Sequence, residues 1–329
     1  YQAVNPGADV VSTASVRDLR HKANGGLLFR HGDSTISGGF TYSTENDYKG
    51  RNVSLGAHTE AYEHNTQFDL SYAKSFDSVC NRVQPSSATS TRFLALENSD
   101  GCFTDDPLRT TKPIDADSFQ ASWTQAWTKI FLTQLVYSAQ LLNGFQSNPY
   151  RSVIIGQGVK AAENHPENRG RHSLTLRGTV FLKPLHAALK LTVRGYTDSW
   201  GINGGNLEGE FEKYVADWIR LGARGRVYKQ SGALFWSDDY TGGDAPLGPK
   251  GQYFTGDREV SPFTSVMAGA RARFVVPTQG KRLARIFHGV EFGGGFDVVQ
   301  FVYDEYTLAG ISVGNARAYI GNLNALVTF

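Results

Sequence analysis

The sequence predicts an all-β fold, a transmembrane antiparallel up-and-down β-barrel of about 14 strands, and three observations lead to it. Segments of about ten residues in which apolar and polar residues alternate recur along the chain. Tight turns alternate with long polar loops as the connections between these segments. The composition, with 36 Gly, 15 Tyr and 20 Phe among 329 residues, favours aromatic-rich strands over helices. No stretch approaches the roughly 18 uncharged apolar residues of a membrane helix.

The clearest strands are those in which the alternation is unbroken. In Ala188–Trp200, for example, Leu189 and Leu191 point to one face and Lys190 and Arg194 to the other. A helix would instead group its apolar residues three and four apart. The predicted strands are Thr35–Thr44, Arg51–Tyr62, Thr66–Phe76, Ser118–Trp127, Ile130–Leu142, Arg171–Leu182, Ala188–Trp200, Leu207–Val215, Trp218–Lys229, Phe263–Val275, Ile286–Tyr303 and Ala316–Phe329, with a further one over about Arg20–Arg30 and a weak opening strand before Val16.

The connections give an independent check on this topology. Long loops are expected at about 77–117, 143–170 and 230–262. Short links are expected at His31–Ser34, Glu63–Asn65, Thr128–Lys129, Lys183–Ala187, Ala216–Asp217 and Pro277–Arg285. When every short link is placed on the periplasmic side, every long loop lies outside and the C-terminus lies in the periplasm. Residues 1–329 are therefore predicted to form a single barrel domain.

The last strand indicates where this barrel resides. Tyr319, Leu323 and Val327 fall on one face, and the chain ends at Phe329. This pattern resembles the closing strand of a bacterial outer-membrane β-barrel, in which the lipid-facing positions are apolar. The resemblance implies an integral protein of the Gram-negative outer membrane, in contact with outer-membrane lipid and recognised by the barrel-assembly machinery through Phe329.

A wider resemblance covers about Tyr42 to Tyr240. It is carried by YSTENDY (Tyr42–Tyr48), SNPYR (Ser147–Arg151), ENHPENRGRHSL (Glu163–Leu174), YTDSWGI (Tyr196–Ile202) and RVYKQSGALFWSDDY (Arg226–Tyr240). These motifs resemble an uncharacterised family of predicted bacterial outer-membrane β-barrel proteins, a domain of unknown function. The resemblance implies architecture and location, and it transfers no catalytic residue.

One feature departs from that family. Its members carry further strands before the segment that matches Asp9–Ser15, whereas only eight residues precede this segment here and Pro6 disfavours a strand among them. A barrel of about sixteen strands, with N-terminal strands missing from the chain, is therefore the alternative count.

Two cysteines, Cys80 and Cys102, lie in the first predicted outer loop. A disulfide between them is the preferred interpretation, because disulfides persist in surface and periplasmic segments. Two free thiols are the alternative. A zinc site is not expected from two cysteines without nearby histidines.

The predicted lumen face carries the largest group of charges. The candidate lumen-lining residues are Arg177, Lys190, Arg194, Glu208, Glu210, Glu212, Arg220, Arg224, Arg226, Arg271 and Arg273. Opposite charges on neighbouring strands are expected to pair as ladders, and they would set a transverse field in an open lumen. A structural role in satisfying a charged interior and a role in ion selectivity both follow from this pattern.

Other chemistries are less favoured by the sequence. The net charge of +2 gives no field for a nucleic-acid partner. His172 and Ser173 are adjacent and so point to opposite faces of a strand, while His58 and Glu60 share a face and can form a structural hydrogen bond. No catalytic residue, cofactor or metal is therefore predicted. The carboxylates of Asp238, Asp239, Asp244 and Asp257 could bind a calcium ion, but their spacing matches no known calcium loop.

The expected function is a pore or conduit for hydrophilic solutes or a polymer across the outer membrane. The alternative is a structural or anchoring barrel that holds other envelope proteins in a multiprotein complex. An outer-membrane hydrolase is less favoured. The loop at 143–170 separates the first two, because a loop that fills the lumen favours the scaffold.

Overall fold

The structure is a computed structural model. It describes residues 10–12, 19–84, 94–96, 102, 106–155, 159–238, 240, 250–276, 289–308, 311–312 and 315–328. Within these residues no helix is long and apolar enough to cross a membrane. Phe329, the link at Pro277–Arg285, Asp239 and Asp244 lie outside the described residues.

Apart from two short 3-10 helices at Lys183–Leu185 and Arg258–Val260, the regular structure of the described chain consists of strands. They are β1 (Val10–Ser12), β2 (His21–His31), β3 (Ser34–Thr44), β4 (Tyr48–Ala61), β5 (Thr66–Arg82), β6 (Arg109–Thr128), β7 (Phe131–Gly144), β8 (Arg151–Ile155), β9 (Val159–Ala162), β10 (Asn168–Leu182), β11 (Ala187–Asp198), β12 (Asn203–Ala216), β13 (Ile219–Gln230), β14 (Phe263–Val276), β15 (Gly289–Tyr303), β16 (Thr307–Leu308), β17 (Ile311–Ser312) and β18 (Ala316–Thr328).

One antiparallel sheet of 13 strands forms the wall, in the order β18-β15-β14-β13-β12-β11-β10-β7-β6-β5-β4-β3-β2. Each strand in it pairs with the wall strands that come before and after it along the chain, which is the up-and-down topology predicted from the loops. This sheet confirms the predicted fold class, a transmembrane β-barrel. Where about 14 strands were expected, the described residues supply 13 to the sheet.

The difference lies at the weak opening strand. Of the segment before Val16, the structure describes only residues 10–12, which form β1. These pair with Arg151–Val153 of β8, inside an outer loop, and not with the wall.

Alternation sets the two faces of the wall. In β13, Leu221 and Val227 are exposed on the outer surface, while Arg224 and Arg226 take the positions between, on the inner face. The same rule places Leu174 and Leu176 of β10 outside. Side chains of successive strand residues point to opposite faces, so a lipid-facing apolar surface and a polar lumen follow from one sequence pattern.

The outer loops are shorter than predicted because the strands extend further. β5 and β6 pair as far as Arg82 and Arg109, so the first long loop covers 83–108 and not 77–117. The 20 residues of β6 exceed the roughly 9–11 that span a bilayer. The pairing therefore continues above the membrane, where both faces are polar and the alternation that marks a strand is lost. The other two loops cover 145–167 and 231–262.

These outer loops pack against one another. Loop 145–167 contributes β8 and β9, which form a small sheet with β1. Asn164 bridges to Phe254 of loop 231–262. Trp200, Phe235 and Trp236 belong to one buried apolar cluster, and Val153, Ala161, Tyr240 and Phe254 form a second. We call this assembly of loops the outer cap.

Candidate functional site

All the predicted lumen-lining residues lie on the inner face of five consecutive strands. Arg177 belongs to β10, Lys190 and Arg194 to β11, Glu208, Glu210 and Glu212 to β12, Arg220, Arg224 and Arg226 to β13, and Arg271 and Arg273 to β14. They alternate with outward-facing residues such as Leu207 and Leu221, which are exposed. The structure thus brings these charges together on one side of the lumen, and we call them, with Glu291 and Asp297 of β15, the charged belt.

Glu210 is the centre of the belt. Lys190 is its cross-strand partner, and the Lys190 Nζ lies 3.5 Å from Glu210 Oε1. Arg271 Nη1 approaches the same oxygen at 3.8 Å from the other side. Lys190 also lies 3.9 Å from Glu212. The ladder predicted from neighbouring strands therefore forms here, with one carboxylate between two cations.

The most buried pair of the belt skips a strand. Arg224 donates from Nε to Asp297 Oδ1 at 2.7 Å and from Nη2 to Asp297 Oδ2. The two residues lie on β13 and β15, and Gly269 of β14 stands between them in register. A Cβ at Gly269 would meet Asp297 Oδ1 at 1.8 Å. The glycine therefore lets this bidentate pair cross over β14, and the Asp297 side chain is only 1% exposed.

The remaining belt arginines use other partners. Arg220 lies over the ring of Tyr214, with its guanidinium carbon 4.5 Å from the ring centre. Arg273 Nε lies 3.0 Å from Glu291 Oε1. Arg226 has Glu208 as its cross-strand neighbour. Sequence reasoning named the arginines and missed Glu291 and Asp297, although both have the parity of inward residues on their strand.

Arg177 and Arg194 are both exposed to the lumen and lie beside neutral residues. Arg177 Nη1 donates to Gln134 Oε1 at 3.0 Å. Arg194 has the neutral residues Thr175 and Asn206 as its cross-strand neighbours. Across the whole belt, eight basic side chains face five acidic ones, so this side of the lumen is positive.

Room for solvent follows the belt. A cavity of about 470 Å³ is lined by Arg177, Lys190 and Glu208 among others. A second cavity, of about 400 Å³, lies beside Arg220 and Arg271. The described contacts of loop 145–167 are with the other outer loops and the outer strand ends, and these cavities are bounded by wall residues.

The opposite side of the lumen is polar and largely neutral. A dense hydrogen-bonded group there joins His58 Nδ1 to Asp69 Oδ1 at 2.7 Å, while Ser122 Oγ donates to Asp69 Oδ2 at 2.8 Å. The predicted partner Glu60 lies 3.4 Å from His58 Nε2. Because the serine donates to the aspartate, this group lacks the serine–histidine bond that activates a nucleophile. His172 points outward and bonds the Tyr137 hydroxyl at 2.9 Å.

At the outer end of β10, a buried ion pair anchors the cap to the wall. Arg169 donates to Asp198 Oδ2 from Nε at 2.9 Å and from Nη2 at 2.5 Å. Its guanidinium carbon lies 3.9 Å from the centre of the Trp200 ring. Asp198 Oδ1 also accepts the backbone N–H groups of Trp200 and Ile202. Every oxygen of this buried carboxylate is satisfied, so the corner after β11 is fixed.

Within the cap, Glu163 joins the two long loops. It accepts from Thr255 Oγ1 at 2.9 Å and from the Gly256 N–H at 3.1 Å. Arg151 lies 3.8 Å from Glu163 and 2.5 Å from Asp257. Burial raises the pKa of Glu163 to about 7. His165 Nε2 lies 3.8 Å from Glu163, and burial lowers the pKa of this histidine to about 4. Asp257, one of the four aspartates with a carboxylate suited to calcium, is thus an arginine partner.

The structure also contains the disulfide between Cys80 and Cys102, with 5.1 Å between their Cα atoms. It packs with Leu96 and Tyr150 in a third buried cluster. No group of three or more metal-ligating side chains occurs in the described part of the chain. The disulfide links the end of β5 to the loop that follows it. Disulfides of this kind persist in oxidising environments.

Comparison with known proteins places this chain. A family model described as "Protein of unknown function (DUF3570)" matches residues 2–282. No curated protein matches the chain. Among solved structures, the siderophore receptor PirA from Acinetobacter baumannii is similar at 11% identity and a TM-score of 0.54, over 96% of this chain and 51% of that one.

The ferric enterobactin receptor PfeA, in complex with BCV-L6, is similar at 13% identity and a TM-score of 0.58, over 98% of this chain and 52% of that one. A second structure of PfeA, a mutant from Pseudomonas aeruginosa, is similar with a TM-score of 0.54. The chain spans about half the length of these receptors, and at such identity the likeness shows the fold alone. The fold is that of outer-membrane β-barrel proteins, and the chain belongs to the DUF3570 family of proteins of unknown function.

Proposed function

We propose that this barrel resides in the bacterial outer membrane and serves as a conduit for hydrophilic solutes, with a preference for anions. The observation that carries the proposal is the charged belt, where eight basic side chains face five acidic ones along cavities of about 400 and 470 Å³. A positive wall beside a solvent-filled path attracts anions and repels cations, since rings and rows of charged side chains set selectivity in pores. Passage is passive or opened by a partner.

The first test is electrical. The purified protein, refolded and inserted in a planar bilayer, is expected to give stable single-channel conductance with an anion-selective reversal potential in a salt gradient. Arg194→Glu should shift the reversal potential towards cation selectivity, because Arg194 is exposed in the lumen. Lys229→Glu is the matched control, since it makes the same charge change at an exposed residue on the outer surface of β13.

A folded barrel that stays electrically silent would contradict an open conduit. The same result would be expected of the second candidate function, a structural barrel that anchors other envelope proteins. That candidate is favoured by the outer cap, in which apolar clusters and the Glu163 contacts join two long loops into one packed surface. Co-purification of envelope proteins that depends on the cap would support it.

A further inference from the structure

Two cavities that share lining residues lie in the lumen beside Arg194, a member of the charged belt. One has a volume of about 560 Å³ and the other about 250 Å³. Both are lined by Arg171, Arg194 and Tyr196, which lie on β10 and β11. The two arginines therefore stand between the cavities and can be reached from both.

These two arginines are not neutralised in the way their neighbours are. Arg169, one inward position above Arg171, is paired with Asp198. Arg171 instead donates from Nη1 to the neutral Gln140 Oε1 at 3.0 Å, and its buried Nε has no acceptor. Such a buried donor is normally bonded, so an oxygen of a bound molecule is its natural partner. The carboxylate that lines the smaller cavity, Glu259, comes from the cap.

The larger cavity faces the arginines with hydroxyl and amide groups. Ser54, Ser71, Ser118, Gln120, Ser138 and Gln140 line it, and all point inward from β4 to β7. Gln140 donates to Ser118 Oγ at 3.3 Å and Ser138 to Gln120 Oε1 at 3.3 Å. Each hydroxyl and amide keeps further donor and acceptor capacity after these bonds. The wall thus suits a molecule that carries several hydroxyl groups.

The geometry points to a binding site for polyhydroxylated anions of hexose size, sugar acids or sugar phosphates, held by Arg171 and Arg194 and by this hydroxyl-rich wall. A guanidinium fork matches the two oxygens of a carboxylate or phosphate. A cavity of about 560 Å³ lies within the range of small-molecule sites. The inference rests on the proposed conduit, since the solute reaches the site through the lumen.

Binding is tested without conduction, on the detergent-solubilised barrel, by saturation-transfer difference NMR and calorimetric titration. The probes are gluconate, glucose 6-phosphate, glucose and inorganic phosphate. Gluconate or glucose 6-phosphate is expected to bind at least about tenfold more tightly than either glucose or phosphate, since both halves of the site are then used. Preference for one of the two distinguishes a carboxylate from a phosphate ligand.

Variants locate the site. Arg194→Gln and Arg171→Gln should each weaken gluconate binding about tenfold, and Arg194→Lys should weaken it less, because it keeps the charge and loses the fork. Arg273→Gln is the control, a belt arginine that lines neither cavity, and it should leave binding unchanged. Arg194 is exposed, so its variants should fold. The difference in gel migration between heated and unheated samples verifies that the barrel has folded.

The outcomes separate the two proposals. A barrel that conducts anions but binds glucose as well as gluconate, or phosphate as well as glucose 6-phosphate, overturns this site and leaves the conduit standing. Equal loss of binding in the Arg273→Gln control also overturns it, since binding then follows the overall charge. A silent barrel that binds gluconate through Arg194 supports the site and contradicts the conduit.

Discussion

Gly269 stands between the two members of the most buried ion pair of the charged belt, and this position can be tested directly. In Gly269→Ala the new Cβ would lie 1.8 Å from Asp297 Oδ1 and 3.1 Å from the Phe296 carbonyl oxygen. The carboxylate must move, and its two bonds with Arg224 break. The substitution is therefore expected to destabilise the barrel although it adds a single methyl group.

The magnitude follows from the burial of the pair. Breaking a fully buried ion pair costs about 3–5 kcal/mol, and because Arg224 is 21% exposed we take about 3 kcal/mol. Alanine is favoured over glycine within a strand by about 0.5–1 kcal/mol, which offsets part of this cost. The free energy of unfolding should thus fall by about 2 kcal/mol, a change of about 30-fold in the unfolding equilibrium.

The assay is reversible urea unfolding of the barrel in lipid or detergent, followed by tryptophan fluorescence. Gly178→Ala is the matched control, because nothing lies within 4 Å of the Cβ it would add on the outer surface of β10. It should be neutral or slightly stabilising. If Gly269→Ala is as stable as this control, the reasoning about the crossing ion pair is refuted.

A double-mutant cycle identifies the cause. In an Asp297→Ala background the clash disappears, so Gly269→Ala should cost nothing further. An equal cost in both backgrounds would place the strain at the Phe296 carbonyl oxygen instead. The coupling between the two sites is therefore the quantity that tests the role of the glycine.

Three further predictions concern the cap. Cys102→Ser removes the disulfide that closes a loop between cysteines 22 residues apart, which should lower the local stability of that loop by about 3 kcal/mol. Protease cleavage within 83–108 should become faster while the circular dichroism of the sheet stays unchanged. An unchanged cleavage rate would contradict this prediction. The pKa of Glu163 is raised from 4.5 to about 7, so the stability that this residue contributes is lost as pH rises from 4.5 to 7. The pKa of His165 is lowered from 6.5 to about 4, so the stability that this residue contributes is lost as pH falls from 6.5 to 4. Hydrogen-exchange protection of the cap, corrected for intrinsic rates, should therefore rise with pH between 4 and 6.5 in Glu163→Gln and fall between 4.5 and 7 in His165→Gln, and flat profiles in both would refute the assignment. Arg169→Gln leaves the fully buried carboxylate of Asp198 unpaired and should cost about 3–5 kcal/mol in urea unfolding; a loss below about 1 kcal/mol would contradict it.

The strands of the wall could be read from the sequence because their pattern is local. Predicted Arg171–Leu182 corresponds to β10 at Asn168–Leu182, since lipid on one side and lumen on the other impose an alternation of period two. The rule failed above the membrane. There, outward residues such as Lys74 and Asp117 pair with each other at 3.0 Å, and a strand with two polar faces resembles a loop in sequence.

The charged belt was only partly predictable. Cross-strand contacts such as Lys190 with Glu210 follow from the register of neighbours, which the short turns nearly fix. The pair of Arg224 and Asp297 spans two strands and depends on a glycine in the strand between them. The alternation of apolar and polar residues along a strand does not predict a contact that crosses an intervening strand. The sequence hint for this pair is an aspartate at an inward-facing strand position whose cross-strand neighbour is a glycine.

The cap was missed for a different reason. Its contacts join residues far apart in the chain, as when Thr255 donates to Glu163, and its buried residues show no regular spacing. The resemblance motifs fell largely on these loops, including Ser147–Arg151 and Tyr196–Ile202. Their packing, with Trp200 buried against Phe235, gives those segments a structural reason for their distinctive sequences.

Stability and selectivity should consequently reside in different arginines of the same lumen. Arg169 and Arg224 are committed to buried carboxylates, so their replacement should weaken the fold before it alters the field that a passing ion feels. Arg177 and Arg194 are exposed and bound to neutral neighbours or to none described, so their replacement should change the field at little cost in stability. If Arg194→Glu unfolds the barrel as readily as Arg224→Glu, this division is wrong, and the lumen charges serve mainly to hold the wall together.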